Sequence, residues 1–474
     1  MEHPNQDIYP SSQGQNSTKT SSHEKMGQAD HMDMATVPAN GFSGDGGKNY
    51  RTMGRWDTVL VLLTNQIGLG FLSLPSVLRD LGLIPGIIAV AGVGCLTWYT
   101  AFELGQFYHR YPHVVNVVEM AKVVGGRRFE LVAGIGLLIQ IIMTSAATCV
   151  TISIAFNTIS THALCTVGFI GISCLGCWVL CVPRTAKFVS QTGIPCCIGA
   201  VAAALIVIIS LGVADPANAP SGWDKEIVLV AYPDFRKGLN AVLKITYTYS
   251  ANINFVSFMA EMADPKRDYN FALAWLEVCS IAFFTLVAVV IYCLAGDYTT
   301  SPAFGSAPQI PAQVAYGIIL PTIFSTGLAF GHTVGKYIYV EVMKAINAAH
   351  QMTDNSFKSW SIWIGIVTSF WALCFVISNA IPVFDSILAI ASATTISWFT
   401  FGFSAIFWLF LNWDVKFSNW RKTSLTCVNI FLIIMSLFLN AAGLWSSITE
   451  LIDIFADETS QIRGAFSCGD NALF

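Results

Sequence analysis

Eleven apolar stretches separated by polar loops constrain this chain more than any other feature. Each approaches the roughly 20 residues that an α-helix needs to cross a bilayer. Charged residues make up 11% of the chain, whereas soluble domains carry about 25%. We therefore predict an all-α, polytopic membrane protein with spans at 56–78, 82–106, 129–156, 163–182, 190–213, 238–260, 271–296, 310–333, 360–381, 383–411 and 425–447.

The two ends of the chain differ from this apolar region. Residues 1–50 are rich in Ser, Gln, Asn and Gly and poor in aromatic residues, which predicts a disordered tail. Residues 51–447 form the predicted membrane domain, and residues 448–474 form a C-terminal tail. The net charge of −4 indicates no class of partner. The chain lacks the long basic runs that would suggest a nucleic-acid partner.

The distribution of Lys and Arg predicts the orientation. With the N-terminus in the cytosol, nineteen of the 25 Lys and Arg residues lie in cytosolic loops or in the N-terminal tail. Five lie in the opposite loops, and Lys244 falls within a span. Cytosolic loops normally carry this excess of positive charge. Eleven spans then place the C-terminal tail on the non-cytosolic face.

Two spans contain polar or glycine-rich interruptions near their middle. The first is Asn65 to Gly70, with two amides and two glycines, and the second is Thr246 to Ala251. Backbone groups at this depth must find a partner in protein, water or ligand. Paired broken helices are typical of the central binding site of secondary transporters.

The thirteen cysteines suggest helix packing more strongly than chemistry. Nearly all lie within predicted spans, including Cys174 and Cys177 in a CxxC spacing, and only Cys468 is expected to be exposed. Cysteine packs well between helices. The sequence shows no His or acidic cluster that would complete a zinc site. We therefore predict no metal and no cofactor.

Two motifs resemble a known family. The first span contains NQIGLGFLSLP, and EMADP follows the sixth span at Glu261 to Pro265. Together they resemble the amino acid/auxin permease family of the APC superfamily, and most closely its fungal neutral and aromatic amino acid permeases. The resemblance covers roughly residues 50–445.

The resemblance implies a leucine-transporter-like fold. Spans one to five and six to ten would form inverted repeats, with the eleventh span outside them. The two interruptions begin about nine and eight residues into the first and sixth spans, as two repeats require. The expected protein is a transporter and not an enzyme, because the sequence shows no metal-ligand helix and no convincing nucleophile–base set.

An amino acid zwitterion fits such a site. Amide groups of the first interruption can bind its carboxylate at a helix end, and carbonyls and a hydroxyl of the second can bind its ammonium. Close helix packing is the alternative role for the glycines, and simple packing is the alternative for the tyrosines. The predicted substrate-binding residues are Asn65, Ile67, Gly68, Leu69, Gly70, Thr144, Thr246, Tyr247, Tyr249 and Ser250.

Ion coupling has two candidate sites. Glu277 lies about six residues into the seventh span and is a candidate proton carrier, unless it pairs with Lys266 or Arg267 at the inner surface. The hydroxyls of Thr322, Ser325 and Thr326 on the eighth span suit a sodium ion instead. Ser and Thr also often bond carbonyls of their own helix, which is a purely structural role.

Other ionisable residues within spans have simpler expected roles. Lys244 is expected to extend its ammonium outward to water, with a cation position in the site as the alternative. Glu103, near the inner end of the second span, is expected to reach cytosolic water.

The leading hypothesis is proton symport of neutral, apolar and aromatic L-amino acids by alternating access. The expected partners are the amino acid, a proton or a sodium ion, and the lipid bilayer, in the plasma membrane or alternatively the vacuolar membrane. Another solute, sodium coupling in the same fold, or an amino acid sensor are the alternatives. A channel is the weakest of them, because no continuous polar pore is visible.

Overall fold

The computed structural model describes residues 51, 53–184, 187–220, 222–348, 356–456 and 464–471, with the backbone alone at 187–192. The predicted tail at 1–50 lies outside these residues. Fourteen α-helices occur in the described part: α1 Arg55–Gln66, α2 Leu74–Leu81, α3 Leu83–Arg110, α4 Val117–Ser160, α5 Thr166–Cys181, α6 Lys187–Val213, α7 Phe235–Thr248, α8 Asn252–Glu261, α9 Pro265–Ala295, α10 Gln309–Ala345, α11 Phe357–Ala380, α12 Phe384–Ala391, α13 Phe403–Leu411 and α14 Trp420–Ala456.

The helical membrane class is confirmed. In the described residues, eight helices are long and apolar enough to cross a bilayer, and the α1–α2 pair, bent by 44°, raises this number to nine. The helix α5 has 16 residues, and the α7–α8 pair is interrupted. These two occupy the fourth and sixth predicted spans. The total of eleven spans therefore stays a prediction.

Several helices extend beyond the predicted spans. The helix α4 begins twelve residues before the predicted third span, and Gly126, with φ of 66°, interrupts its helical geometry. Glycine adopts this left-handed conformation without the steric penalty of a Cβ atom. The helix α10 continues to Ala345, and α14 continues to Ala456.

The two broken helix pairs lie together at the centre of the helical bundle. The half-helix α2 packs on α7, while α3 and α9 pack on each other and on the broken pairs. The helix α10 packs on α4 and on α6. Two π-helical turns, at Ser392–Ile396 and Trp398–Gly402, join α12 to α13. The helix α14 packs on α7, α12 and α13.

The half-helices α1 and α8 are joined at one end, which we call the inner face because it carries the predicted cytosolic ends. The Met53 N–H donates to the Glu261 carbonyl at 3.2 Å, and the Ala263 N–H donates to the Met53 carbonyl at 3.0 Å. These bonds form the parallel β-bridge between Met53 and Met262. The opposite end, where α2 ends and α7 begins, is the outer face.

A disulfide corrects the expectation that Cys165, within the fourth predicted span, serves helix packing. Cys165, just before α5, is bonded to Cys468 in the C-terminal tail, 303 residues away. The adjacent tail is hydrogen-bonded to the same surface. The Thr166 hydroxyl donates to the Gly469 carbonyl at 2.7 Å, and the Asn157 amide donates to Asn471 at 2.6 Å. The segment 464–471 is therefore fixed to the outer ends of α4 and α5.

Candidate functional site

The first interruption is a true break in the helix. The helix α1 ends at Gln66, Gly68 is extended with φ of −105° and ψ of −153°, and a 3-10 helix begins at Leu69. The Ile67 N–H donates to the Leu63 carbonyl, and the Gly68 N–H donates to the Gln66 carbonyl, both at 2.9 Å. Since the first amides of a helix lack a partner within it, the amides available to a carboxylate are those of Leu69 and Gly70.

The second interruption separates α7 from α8. The helix α7 ends at Thr248, and α8 begins at Asn252. The Ser250 N–H turns back to the Tyr247 carbonyl at 3.2 Å. A carbonyl oxygen has a second lone pair, so this C-terminal end of α7 still presents acceptors, with the negative end of the helix dipole.

The two breaks contact each other closely at Gly70. A Cβ atom added to Gly70 would lie 2.6 Å from the Thr248 Cα atom. Glycine is thus required here for the approach of two backbones. Gly68 differs, because an added Cβ atom would meet no heavy atom within 4 Å. The packing role that the sequence left open applies to Gly70, while Gly68 faces open space.

A cavity of about 710 Å³ extends from the breaks to the inner face. Asp57 near the start of α1 and Glu261 at the end of α8 line its exposed mouth. The other described lining residues come from α1, α4, α6, α8 and α10 and from the breaks. They include Val61, Thr64, Asn65, Gln66, Ile67, Gly68, Leu69, Gly70, Thr144, Cys196, Tyr247, Ser250, Asn254, Phe258, Thr322, Ser325, Thr326, Phe330, His332 and Lys336.

Most of the predicted substrate residues line this cavity, and two do not. Thr246 donates its hydroxyl to the Val242 carbonyl of its own helix at 2.9 Å. Tyr249 is fully buried against Phe284, with ring centroids 5.3 Å apart. Thr246 and Tyr249 were predicted as site residues, and their side chains lie outside the cavity lining. Whether a side chain near the break faces the cavity depends on the three-dimensional path of the backbone. A sequence pattern does not show that path.

The sequence analysis missed the polar face of α8. Asn254, Ser257 and Glu261 line the cavity at intervals of three and four residues, which is one face of a helix. The Asn254 side-chain amide donates to the Asn65 side-chain carbonyl at 3.0 Å and so joins α8 to α1. The spacing was a usable signal in the sequence. Gln66, 3% exposed, is also in the lining.

The two ion-coupling candidates occupy different places. Thr322, Ser325 and Thr326 all line the cavity, and the Thr322 hydroxyl donates to the Cys196 carbonyl of α6 at 3.0 Å. Glu277 is fully buried on α9 outside the lining. Neither of its carboxyl oxygens has a hydrogen-bond partner in the described part of the chain. The expected alternative pairing with Lys266 or Arg267 is therefore absent there.

A charge cluster closes the outer side of the breaks and corrects the expectation for Lys244. Its side chain is 5% exposed, and its ammonium lies 3.2 Å from Asp80 and 2.9 Å from Asp385. It also donates to the Ser76 hydroxyl at 3.1 Å, and Ser301 donates to Asp385. Lys244 is therefore a buried crosslink between α2, α7 and α12. We call these five residues the outer charge cluster.

No group of three or more His, Cys, Asp or Glu side chains in the described residues is arranged to hold a metal ion. The cavity instead combines helix ends, amides and hydroxyls beside apolar side chains. Such a surface can bind a polar molecule and release it unchanged. The family model described as transmembrane amino acid transporter protein matches residues 51–449.

The chain belongs to the transmembrane amino acid transporter family. The resemblance seen in the two sequence motifs is confirmed. A protein of Neurospora crassa, named N amino acid transport system protein, is 28% identical over 433 residues, which cover 90% of each chain. A protein of Fusarium pseudograminearum, named transmembrane transporter, is 27% identical over 90% of this chain and 89% of its own length.

Solved structures place this family member in the leucine-transporter type of fold. The inward-facing conformation of Mhp1 matches with a TM-score of 0.53 and 14% identity, over 85% of this chain and 93% of Mhp1. This likeness concerns the fold alone. The family match identifies an integral, multi-pass membrane protein that transports amino acids, a transporter rather than an enzyme.

Proposed function

We propose that this family member carries neutral L-amino acids with large apolar or aromatic side chains. The observation that supports the proposal most directly is the position of charge in the cavity. Among the described lining residues, Asp57, Glu261 and Lys336 are charged. Asp57 and Glu261 lie about 15 Å along their helices from the breaks, by helical rise. Lys336 lies about 15 Å along α10 from Thr326, by the same rise. A charged substrate side chain at the breaks would therefore lose its hydration without gaining a counter-charge.

The backbone of the breaks supplies the recognition of the zwitterion in this proposal. The substrate carboxylate binds the amides of Leu69 and Gly70, which begin the 3-10 helix. The ammonium binds the carbonyls at the end of α7 and the Ser250 hydroxyl. Ile67 and Phe258 provide apolar surface in the same cavity. Every α-amino acid carries the same α-carboxylate and α-ammonium groups. The side chains that line the cavity therefore determine which amino acids are selected.

Alternating access is proposed from the contrast between the two faces. The cavity reaches exposed residues at the inner face, whereas Lys244, Asp80 and Asp385 hold the outer half-helices together. We infer an inward-open arrangement. The plasma membrane is the proposed location, with the vacuolar membrane as the alternative.

Proton symport is the proposed coupling, with Glu277 as a candidate proton carrier because its carboxyl group is buried without a described partner. Sodium coupling is the second candidate. It is favoured by the position of Thr322, Ser325 and Thr326 in the cavity wall, since oxygen ligands suit a hard cation.

Uptake by the purified chain in liposomes tests these proposals. We expect uptake of labelled leucine, competition by phenylalanine and tryptophan, and little competition by arginine or glutamate. Stronger competition by arginine or glutamate would overturn the neutral specificity. Uptake in sodium-free buffer that stops on addition of a protonophore supports proton coupling, whereas sodium-dependent uptake that ignores the protonophore excludes it. Leucine binding without uptake would favour a sensor.

A further inference from the structure

Glu103 on α3 is a second buried acid, and it does not reach water as expected from the sequence. It is 1% exposed. Its Oε1 atom accepts a hydrogen bond from the Asn429 amide at 2.8 Å, while Oε2 has no hydrogen-bond partner among the described residues. A charged carboxylate is costly in such surroundings. A bound proton removes that cost.

The charged and titratable groups around Glu103 are few. Tyr99 lies one turn earlier on α3, and its hydroxyl accepts from the same Asn429 amide at 2.8 Å. On α14, Lys422 is two turns before Asn429 and donates to Asn412 at 2.5 Å. On α9, which packs on α3, the Tyr269 hydroxyl donates to the Ala101 carbonyl at 2.9 Å. Glu277 is a buried acid on the same helix α9. In the described part of the chain, Glu103 forms no ion pair with any of them.

A row of buried polar side chains leads from Glu103 towards the second break. Thr100 lies three residues before Glu103 on the same face of α3, and both side chains are buried. The Thr100 hydroxyl accepts from the side-chain amide of Asn252 at 3.0 Å. Asn252 is the first residue of α8. The carboxyl group therefore lies one helical turn from a residue that contacts the start of α8, next to the segment proposed to bind the substrate ammonium.

We propose that Glu103 binds the transported proton, with Asn429 of α14 as a positioning residue and with Thr100 and Asn252 as the link to the second break. This inference rests on the proposed proton-coupled transport. The proposal also assigns a role to α14. The helix supplies the amide that orients the carboxyl group, through a side chain that also donates to the Leu425 carbonyl of its own helix at 3.0 Å.

The test uses the full chain in liposomes that contain a pH-sensitive dye. Proton entry driven by leucine and counterflow exchange of labelled leucine are both measured. Glu103→Gln, which resembles the neutral acid, is expected to reduce proton entry per leucine at least tenfold and to keep exchange within about threefold of the unmodified chain. Glu103→Asp is expected to retain proton entry. Glu341→Gln, at an exposed glutamate of α10 outside the cavity lining, serves as the matched control and is expected to retain both.

Asn429→Ala tests the positioning role. Its amide N–H stabilises the ionised carboxylate, so its loss should move the midpoint of the pH profile of leucine uptake to higher pH. If Glu103→Gln loses exchange as well, the pH profile of leucine uptake by Asn429→Ala decides. A midpoint shifted to higher pH supports the proposal, and an unshifted midpoint overturns it. Proton entry through Glu103→Gln at the unmodified ratio also overturns it.

The unmodified chain separates this inference from the proposed function. Leucine uptake without proton entry overturns the role of Glu103 and leaves neutral amino acid transport standing. Absence of both leucine uptake and leucine exchange in the unmodified chain overturns the proposed function itself and the role of Glu103 with it.

Discussion

The ammonium of Lys244 on α7 lies 2.9 Å from the carboxylate of Asp385 on α12. The same ammonium lies 3.2 Å from Asp80 on α2. Three helices from distant parts of the chain thus share one buried cation at the outer face. The contact holds the outer half-helices together at the end of the molecule opposite the mouth of the cavity.

Replacing Lys244 should favour opening at the outer face. Lys244→Met leaves Asp385 without its cation and leaves Asp80 with Arg79 alone, at 3.2 Å. Removal of one partner from a fully buried pair costs about 3–5 kcal/mol. The cost is smaller here because Asp385 is 29% exposed. We expect leucine uptake to fall more than about tenfold. A cysteine introduced by Ser76→Cys should react faster with a membrane-impermeant thiol reagent applied to the outer face.

Lys237→Met is the matched control, because Lys237 is an exposed lysine near the start of the same helix. It should leave both uptake and labelling unchanged. Labelling rates that are equal in the Lys244→Met and unmodified backgrounds would show that the outer charge cluster does not control access.

The outer charge cluster also shows where sequence-based prediction failed. Lys244 is separated by 164 residues from Asp80 and by 141 residues from Asp385. No local pattern connects these positions, so the isolated lysine was expected to reach water. The breaks were predicted well, because glycine and polar residues within an apolar span are a local signal.

Gly68 and Gly70 should respond differently to substitution. Gly70→Ala places a methyl group 2.6 Å from the Thr248 backbone, and such overpacking typically costs about 1–3 kcal/mol. We expect less folded protein and loss of uptake, measured by size-exclusion chromatography and by leucine flux.

Gly68→Ala enters open space and should keep the amount of folded protein and most of the uptake. The larger Gly68→Val should keep folded protein but lose uptake, because its side chain occupies the cavity. Normal uptake by Gly68→Val would contradict the proposed position of the substrate.

The sequence predicted the two helix breaks better than it predicted which side chains face the cavity. Tyr247 and Tyr249 were both predicted to contribute, yet Tyr247 lines the cavity and Tyr249 packs on Phe284. The two side chains point in different directions because the chain turns after Thr248. Only the three-dimensional backbone defines that turn. The disulfide was missed for a related reason, since Cys165 and Cys468 are 303 residues apart.

Glu277→Gln tests the alternative to Glu103 as the carrier of the transported proton. If Glu277 carries a proton, the variant should lose leucine uptake against a concentration gradient while part of the exchange remains, because only the titrating group is removed. Flux is measured in sodium-free buffer at acidic and neutral pH. Uphill uptake that equals that of the unmodified chain would remove Glu277 from the proposed mechanism.

The ends of the chain should lie on opposite sides of the membrane. Tags at the N-terminus and the C-terminus are probed in intact and permeabilised cells, and only the C-terminal tag should be accessible without permeabilisation if the chain is in the plasma membrane. The Cys165–Cys468 disulfide favours this orientation, since disulfides persist in oxidising compartments. Equal accessibility of the two tags would contradict the eleven-span count.

The pairing of Met53 with Glu261 and Ala263 restricts how the cavity can close. Together with the bond between Asn65 and Asn254, it ties α1 to α8 at both ends of the half-helices. We therefore expect these two half-helices to move together. Lys244 and Asp80 tie α7 to α2 in a second pair, and the close approach of Gly70 to Thr248 holds that pair together beside the breaks. Alternation of access then requires the chain to bend at the breaks, between the two pairs.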